Sequence, residues 1–339
     1  MKIKDLTAFL ETIAPPVYQE SYDNAGLLVG DAAADLKGVL ICLDVTEAII
    51  EEALDKGCNL VIAHHPIIFK GLKKLTGSNY VERTVIKAIK NDLAIYAIHT
   101  NLDNMHQQGV NAKICEKLGL LHTRILAPKP VLKKLAVLVS PENLKITRNL
   151  LINTGITVLH TTEQVSYSED GSEAAIRLEA IIPQGLFSKI QNILTKNDLA
   201  AEWTDLATKS REIGAGMIGE LPKPMAAVDF LEYLKEKLSL HFIKYTSLNR
   251  AQVHTIAVCG GAGSFLLPDA IAQQADVFVS ADFKYHEFFD AEGKIVIADI
   301  GHFESEQFTI ELLYEIISKK FSNFALHCTD RITNPVNYL

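Results

Sequence analysis

Leu60-Val61-Ile62-Ala63-His64-His65-Pro66 joins a buried strand to a pair of histidines. Its first four residues are apolar, the composition of a short strand buried in a parallel sheet. Two histidines follow as the strand runs out, and Pro66 ends it. Neighbouring side chains of an extended strand point to opposite faces, so adjacent imidazoles share one cavity only where the strand has stopped. The C-terminal edge of the strands is also where open α/β sheets hold their ligands. Taken alone, the dipeptide is more simply a pair of surface loop histidines; the rest of the chain reverses that balance.

Working outward, Ile3, Leu6, Phe9, Leu10 and Ile13 have helical spacing and stop at Pro15-Pro16. Asp5 and Glu11 within that stretch argue against a signal peptide. Tyr22 to Gly30 reads as a turn and a short strand, and Gly38 to Asp44 as the first strongly buried strand. Asp44 with Glu47 three residues on has the pattern of a helix cap, with the helix reaching about Lys56 and Gly57 closing it. A helix over 80–90 and a strand from Leu93 to Ile98 follow, and the strand leads into His99-Thr100-Asn101-Leu102-Asp103-Asn104. Strands alternating with helices define an α/β fold with a largely parallel sheet.

The second half repeats the plan. Thr255 to Cys259 is a strand followed by a glycine turn and a helix, Asp276 to Ser280 is the next strand, and Lys294 to His302 is a strand ending in histidine. This weak repeat predicts two similar α/β halves facing a shared cleft, over residues 1–127 and 211–339. Between them, residues 128–210 read strand (Leu135–Val139), helix (Glu142–Asn153), strand (Thr157–His160), strand (Ala175–Ile182), helix (Phe187–Thr195) and strand (Leu199–Trp203). That βαββαβ order is the ferredoxin-like α+β pattern, with polar residues 162–173 as a loop between the middle strands. Gly214 to Pro222 reads as the return to the main domain.

A chain of 339 residues, 48% hydrophobic and 22% charged, suits a soluble protein with a substantial core. A net charge of −8 argues against a nucleic-acid or anionic-membrane binder. Lys70-Gly71-Leu72-Lys73-Lys74 and Lys133-Lys134 are short solvated runs that could still steer a phosphorylated small molecule. The five cysteines are scattered without a C-x-x-C pair, which speaks against a cysteine zinc site or a disulfide framework. No apolar run approaches the roughly 20 residues of a membrane span, so a soluble cytoplasmic protein is expected.

The second chemical signal is Gly301-His302-Phe303-Glu304-Ser305-Glu306. If helical from Phe303, His302 and Glu306 share one face, and the carboxylate can join the imidazole on one metal or bridge two. A helix start favouring acids is the plainer alternative. Asp103 follows a strand end, where a turn aspartate is the simpler reading. Together, His64, His65, Asp103, His302 and Glu306 form a ligand set for two divalent metals such as zinc, iron or manganese. Such a pair can supply hydroxide and polarise an electrophile. His99 could be a ligand neighbour, a hydrogen-bond donor behind a ligand or a proton carrier. In Asp282-Phe283-Lys284-Tyr285-His286, Lys284 could bind a phosphate and His286 could move protons, and a pair of surface loop residues is an equal reading. Gly260-Gly261-Ala262-Gly263-Ser264 could cradle an anion or form a tight turn.

These residues, with Tyr22-Asp23-Asn24-Ala25-Gly26-Leu27 and Gly109-Val110-Asn111, resemble the NIF-three-like family, whose bacterial members are called GTP cyclohydrolase I type 2 homologues. The motifs occur in the family's order over 1–127 and 211–339. The resemblance implies a dinuclear metal centre with His64, His65, Asp103, His302 and Glu306 at the ligand positions, and a toroidal homohexamer. The middle segment resembles the PII- or CutA-like insertion of longer bacterial members.

Three functional classes follow. The first is a metal-dependent hydrolase on a nucleotide or related heterocycle, in its cyclohydrolase form opening the purine at C8 and releasing formate, with Glu306 bridging and His99 or His286 moving protons. A phosphoester hydrolase with the same metals is its enzymatic rival. The second class is a metal-binding regulatory or carrier protein. A DNA-interacting adaptor is the third and fits the acidic chain poorly.

Overall fold

The computed structural model describes every residue except 157, 158, 169 and 170. It divides into two compact units, Met1–Ala127 with Arg211–Leu339, and Pro128–Ser210. The first unit opens with α1 (Ile3–Ile13), β1 (Gly26–Val29), β2 (Gly38–Cys42), α2 (Glu47–Asp55), β3 (Leu60–Ala63), α3 (Tyr80–Lys90), β4 (Ala94–Ala97), α4 (Thr100–Asp103), α5 (Val110–Lys117) and β5 (Leu121–Pro128). The second unit holds β6 (Leu132–Val139), α6 (Leu144–Ile152), β7 (His160–Ser168), β8 (Gly171–Pro183), α7 (Phe187–Lys196) and β9 (Ala201–Leu206). The chain then returns through β10 (Gly214–Ala226), α8 (Ala227–Leu238), β11 (Lys244–Tyr245), β12 (Gln252–Ala262), α9 (Leu267–Ala272), β13 (Val277–Ala281), β14 (Val296–Asp299), α10 (His302–Glu306), α11 (Thr309–Lys320) and β15 (Ala325–Cys328).

The first unit is a mixed α/β fold built on two sheets, ordered β1-β4-β3-β2-β15 and β11-β14-β13-β12-β10-β5. The strands β15, β2, β3 and β4 run parallel, as do β12, β13 and β14. Each parallel run carries an antiparallel strand on its outer edge, β1 against β4 and β11 against β14. The internal repeat is therefore present in topology. The strands β2, β3, β4, β13 and β14 are buried along their whole length, as unbroken apolar runs require. One apolar cluster joins Ile41, Ile62 and Tyr96 of the first sheet to Val258, Val279 and Ala298 of the second. This shared core holds the two sheets together within the unit. Among the described residues no helix is long and apolar enough to cross a membrane.

In the second unit the antiparallel sheet runs β7-β8-β6-β9 around its own core, which includes Leu135, Val137, Leu178, Ile190 and Leu194. The βαββαβ order is present, but residues 162–168 and 171–173 of the expected loop are strand. Thr162 pairs with Arg177 and the ladder continues to Ser168 and Gly171. Ladder bonds are made by the backbone, so polar composition does not end a hairpin strand. The expected strand start at Thr157 and Val158 lies outside the described residues, as do Glu169 and Asp170.

Two local expectations change. The cap of α2 is Thr46, whose side chain accepts from the Ile49 N–H, and Asp44 faces elsewhere. Gly260 and Gly261 lie within β12, which continues to Ala262, so the expected glycine turn opens only at Gly263, whose carbonyl accepts from the Leu266 N–H at 2.9 Å.

The long connection between β3 and α3 is pinned by Glu82. Its carboxylate accepts from the N–H and hydroxyl of Thr76 (2.8 and 2.9 Å), the N–H and hydroxyl of Ser78 (3.1 and 2.9 Å) and the Asn79 amide (2.9 Å). The Thr76 and Ser78 bonds hold this carboxyl down at about 2, against an ordinary 4.5. A depressed folded-state pKa contributes stability that is complete above the unfolded value and lost as pH falls toward the folded one. The stability gap between wild type and Glu82→Gln, read from urea melts, should therefore be full at about pH 6 and narrower at about pH 3. A gap that stays constant over that range would refute this role.

Candidate metal centre

The residues singled out by the sequence meet at the C-terminal edges of the two parallel runs. His64 and His65 follow β3, His99 follows β4 and is followed by Asp103 at the end of α4, and His302 and Glu306 bracket α10 after β14. His99 and Asp103 repeat the four-residue spacing of His302 and Glu306, the first pair spanning α4 from the residue before it and the second lying within α10, each after the equivalent strand. The cavity between them measures about 940 Å³ and is lined by residues of both halves, among them Tyr22, His65, His99, Phe242, His302 and Tyr338.

Each imidazole is held at Nδ1. His64 Nδ1 donates to the Ile98 carbonyl (2.9 Å), His65 Nδ1 to Asp44 (2.8 Å), His99 Nδ1 to Asp23 (2.8 Å) and His302 Nδ1 to Asp282 (2.6 Å). A carbonyl can only accept, so the proton of a neutral His64 sits on Nδ1 and its Nε2 is a bare lone pair. That Nε2 lies 3.6 Å from Asp103 Oδ1 and 3.6 Å from Glu306 Oε1. The other Glu306 oxygen lies 2.9 Å from His65 Nε2 and 3.2 Å from His302 Nε2, and those two nitrogens are 3.3 Å apart. Among the described residues, His64 Nε2 and Asp103 Oδ1 are buried polar atoms with no hydrogen-bond partner.

Lone pairs converging without protons are repulsive and expensive to bury, and a cation is what relieves them. The metal-free side chains register the same strain. Burial pushes His64 below its ordinary value, and burial with the nearby Glu306 charge pushes the Asp103 carboxyl well above its own. Burial also opposes the charged forms of His65 and His302. Asp44 and Glu306 outweigh it for His65, which rises to about 10, and Glu306 and Asp282 for His302, which rises to about 9. Burial likewise resists ionisation of Glu306, but the surrounding imidazoles hold its carboxyl well below the usual range. The groups His64–Asp103–Glu306, His65–His302–Glu306 and His64–His65–His99 each gather ligand atoms within 4.8 Å, and each could hold a metal ion. Zinc ligands at about 2.0–2.3 Å from the ion span comparable separations.

His286 does not join them. It is exposed in the turn Tyr285–Ala291, with its ring against Tyr285 and Phe289, and is not on the cavity wall. The useful residue of that stretch is Asp282, at the strand edge itself. Asp44 and Asp23 were equally hidden in the sequence, Asp44 behind a plausible cap. An acid just past a buried strand was the available signal for Asp44 and Asp282.

Gly261 has a positive φ of 62°, and a Cβ there would lie 2.4 Å from Glu306 Oε1. Its N–H donates to Ser305 Oγ at 2.8 Å, and its carbonyl accepts from Ser280 Oγ at 3.1 Å. The glycine run after Cys259 is thus the floor on which Glu306 rests, and the observed contacts of Gly261 give it no part in cradling an anion.

Fold and site together define a mixed α/β protein of several sheets with a histidine- and carboxylate-lined cavity that could hold metal. Residues 1–335 match the Duf34/NIF3 (NGG1p interacting factor 3) family, and the chain belongs to it. It is 30% identical to a Bacillus subtilis (strain 168) protein named GTP cyclohydrolase 1 type 2 homolog, over 99% of this chain and 98% of that one. A solved Bacillus cereus protein related to NIF3 is 30% identical with a TM-score of 0.83, covering 100% of this chain and 99% of that one. A Staphylococcus aureus protein, 28% identical with a TM-score of 0.82, gives the same coverage.

Replacing Gly261 by Ala would force a left-handed residue, at a cost of about 1–2 kcal/mol, and push Glu306 off its floor. Gly261→Ala protein should therefore retain less metal than wild type by elemental analysis while staying folded by circular dichroism. Equal metal content would show that Glu306 does not depend on this glycine.

Proposed function

We propose that this protein is a hydrolase dependent on two divalent metals, zinc, iron or manganese, and that it acts on a purine nucleotide or related heterocycle. The observation that carries this reading is the convergence of two buried atoms without a hydrogen-bond partner, His64 Nε2 and Asp103 Oδ1, on each other, with Glu306 Oε1 also facing that His64 Nε2 at 3.6 Å. His64 and Asp103 would hold one metal and His65 and His302 the other. Glu306 would be shared, because its two oxygens face the two groups separately. Bound there, the metals would activate water and polarise the electrophilic atom of the substrate. The protein's own part is orientation. Asp44 and Asp282 keep the Nε2 atoms of His65 and His302 turned inward, and Asp23 does so for His99. Of the two candidate proton carriers, His99 is the one at the cavity wall, positioned to hold or move a proton at Nε2.

GTP is the first substrate to test, because a relative at 30% identity carries the cyclohydrolase name. In that reaction one water adds to purine C8 and the imidazole ring opens to a formamide, which a second water hydrolyses to formate and the free amine. We read the inserted unit as a PII/CutA-like regulatory module, supported by its βαββαβ order and sheet order. We propose a toroidal homohexamer on the strength of the family resemblance, a state that light scattering would measure, and a cytoplasmic setting, in keeping with five free cysteines.

Protein purified without chelators should carry about two metals per chain, and GTP should yield formate in a metal-dependent way. Phosphate in place of formate would identify a phosphoester hydrolase, and two metals with neither product would leave a regulatory or carrier protein. Glu306→Gln should lose one or both metals with the fold intact by circular dichroism. Wild-type metal content in that variant would sink the ligand assignment.

A further inference from the structure

We propose that Thr333 and Asn334 are positioning residues of this centre, forming a clamp that fixes the ligand-bearing elements of both halves at once. The inference rests on the metal reading given above.

The segment that carries them is bolted down before it reaches the site. The strand β15 pairs with β2, and the next N–H, of Thr329, donates to the Ile41 carbonyl at 2.9 Å. Glu52, only 6% exposed, accepts from the Thr329 hydroxyl (2.5 Å) and the Asp330 N–H (2.8 Å). Beyond this anchor the chain is exposed from Arg331 to Leu339 except at Thr333 and Asn334. Those two side chains make the contacts that matter.

The Thr333 hydroxyl donates to Asp44 Oδ2 at 2.8 Å, while Asp44 Oδ1 holds His65 Nδ1 at 2.8 Å. With both oxygens engaged, the carboxylate cannot rotate without giving up one bond, so the plane of the His65 ring is set through it. Asn334 reaches the other half. Its amide donates to Glu304 Oε1 at 3.0 Å, and its own oxygen accepts from the Val336 N–H at 3.0 Å, which fixes the direction of the amide. Glu304 is buried in α10 between His302 and Glu306. Two consecutive residues therefore tie the first-half histidine and the second-half ligand helix to one anchored segment. At its far end Tyr338 lies on Phe242, ring centroids 3.8 Å apart, on the cavity wall. A segment that merely covered the surface would have no need to place its two sheltered polar side chains on these two carboxylates.

The test uses the full-length protein, stripped of metal and titrated with Zn²⁺ against a chromophoric chelator, with Co²⁺ absorption as the spectroscopic readout. Thr333→Val keeps the shape and loses the hydroxyl. It should weaken one of the two zinc sites by roughly three- to tenfold, less than the 10–100-fold that follows loss of a ligand's direct partner. It should also shift the Co²⁺ spectrum, with the melting temperature of the metal-free protein unchanged. Thr333→Ser should behave as wild type, and Asn334→Ala should weaken zinc binding through the other arm. Wild-type affinity and spectrum in both Thr333→Val and Asn334→Ala would overturn the clamp, as would a Thr333→Ser variant that fails like Thr333→Val. Wild-type protein that binds no zinc would instead bring down the metal reading, and the clamp with it.

Discussion

A carboxylate buried among imidazoles is the constraint on which the rest of this molecule depends. Glu306 is 3% exposed and faces His64 with one oxygen and His65 and His302 with the other. Burying such a charge is tolerated only if its surroundings compensate, and here they do so by geometry drawn from every part of the first unit. Gly261 leaves room beneath it, Ser305 and Ser280 fix that glycine, and α10 starts where β14 stops. The parallel strands β3 and β14 end at the same cavity because the two sheets share one apolar core.

The internal repeat explains how so many ligand-type residues come to face each other. Each half ends its second parallel strand in site residues, His64 and His65 after β3 and Asp282 after β13, and its third in an imidazole followed four residues later by a carboxylate. The copies have diverged in what they supply. The first half contributes two histidines directly after β3, whereas the second places Asp282 there as a hydrogen-bond acceptor for His302. Neither half alone assembles both candidate positions. That need for both halves gives the clamp at Thr333 and Asn334 its physical sense, since small shifts between halves would open the ligand spacing.

Much of this was legible in the chain. Leu60 to Pro66 carried a buried strand and its histidines on one short stretch, because burial on both faces demands an unbroken apolar run and the loop after it is free to carry polar groups. The helical spacing of His302 and Glu306 was equally local. Two features misled. Residues 162–173 are too polar to announce a strand, yet the backbones of 162–168 and 171–173 pair in an antiparallel ladder. Asp44 three residues before Glu47 imitates a cap, while the true cap, Thr46, has the more modest signature.

By itself the sequence determined the α/β class, the inserted βαββαβ unit and the set of metal-type side chains, because all of these follow from periodicity, breakers and strand-end chemistry within a few residues. Only the tertiary structure decided which acid holds which imidazole, that His99 belongs to the cluster and His286 does not, and that Thr333 and Asn334 reach Asp44 and Glu304. Those pairings join residues up to 289 positions apart. No local pattern encodes such a partner, since it is fixed by how two sheets pack and where their strand ends come to lie.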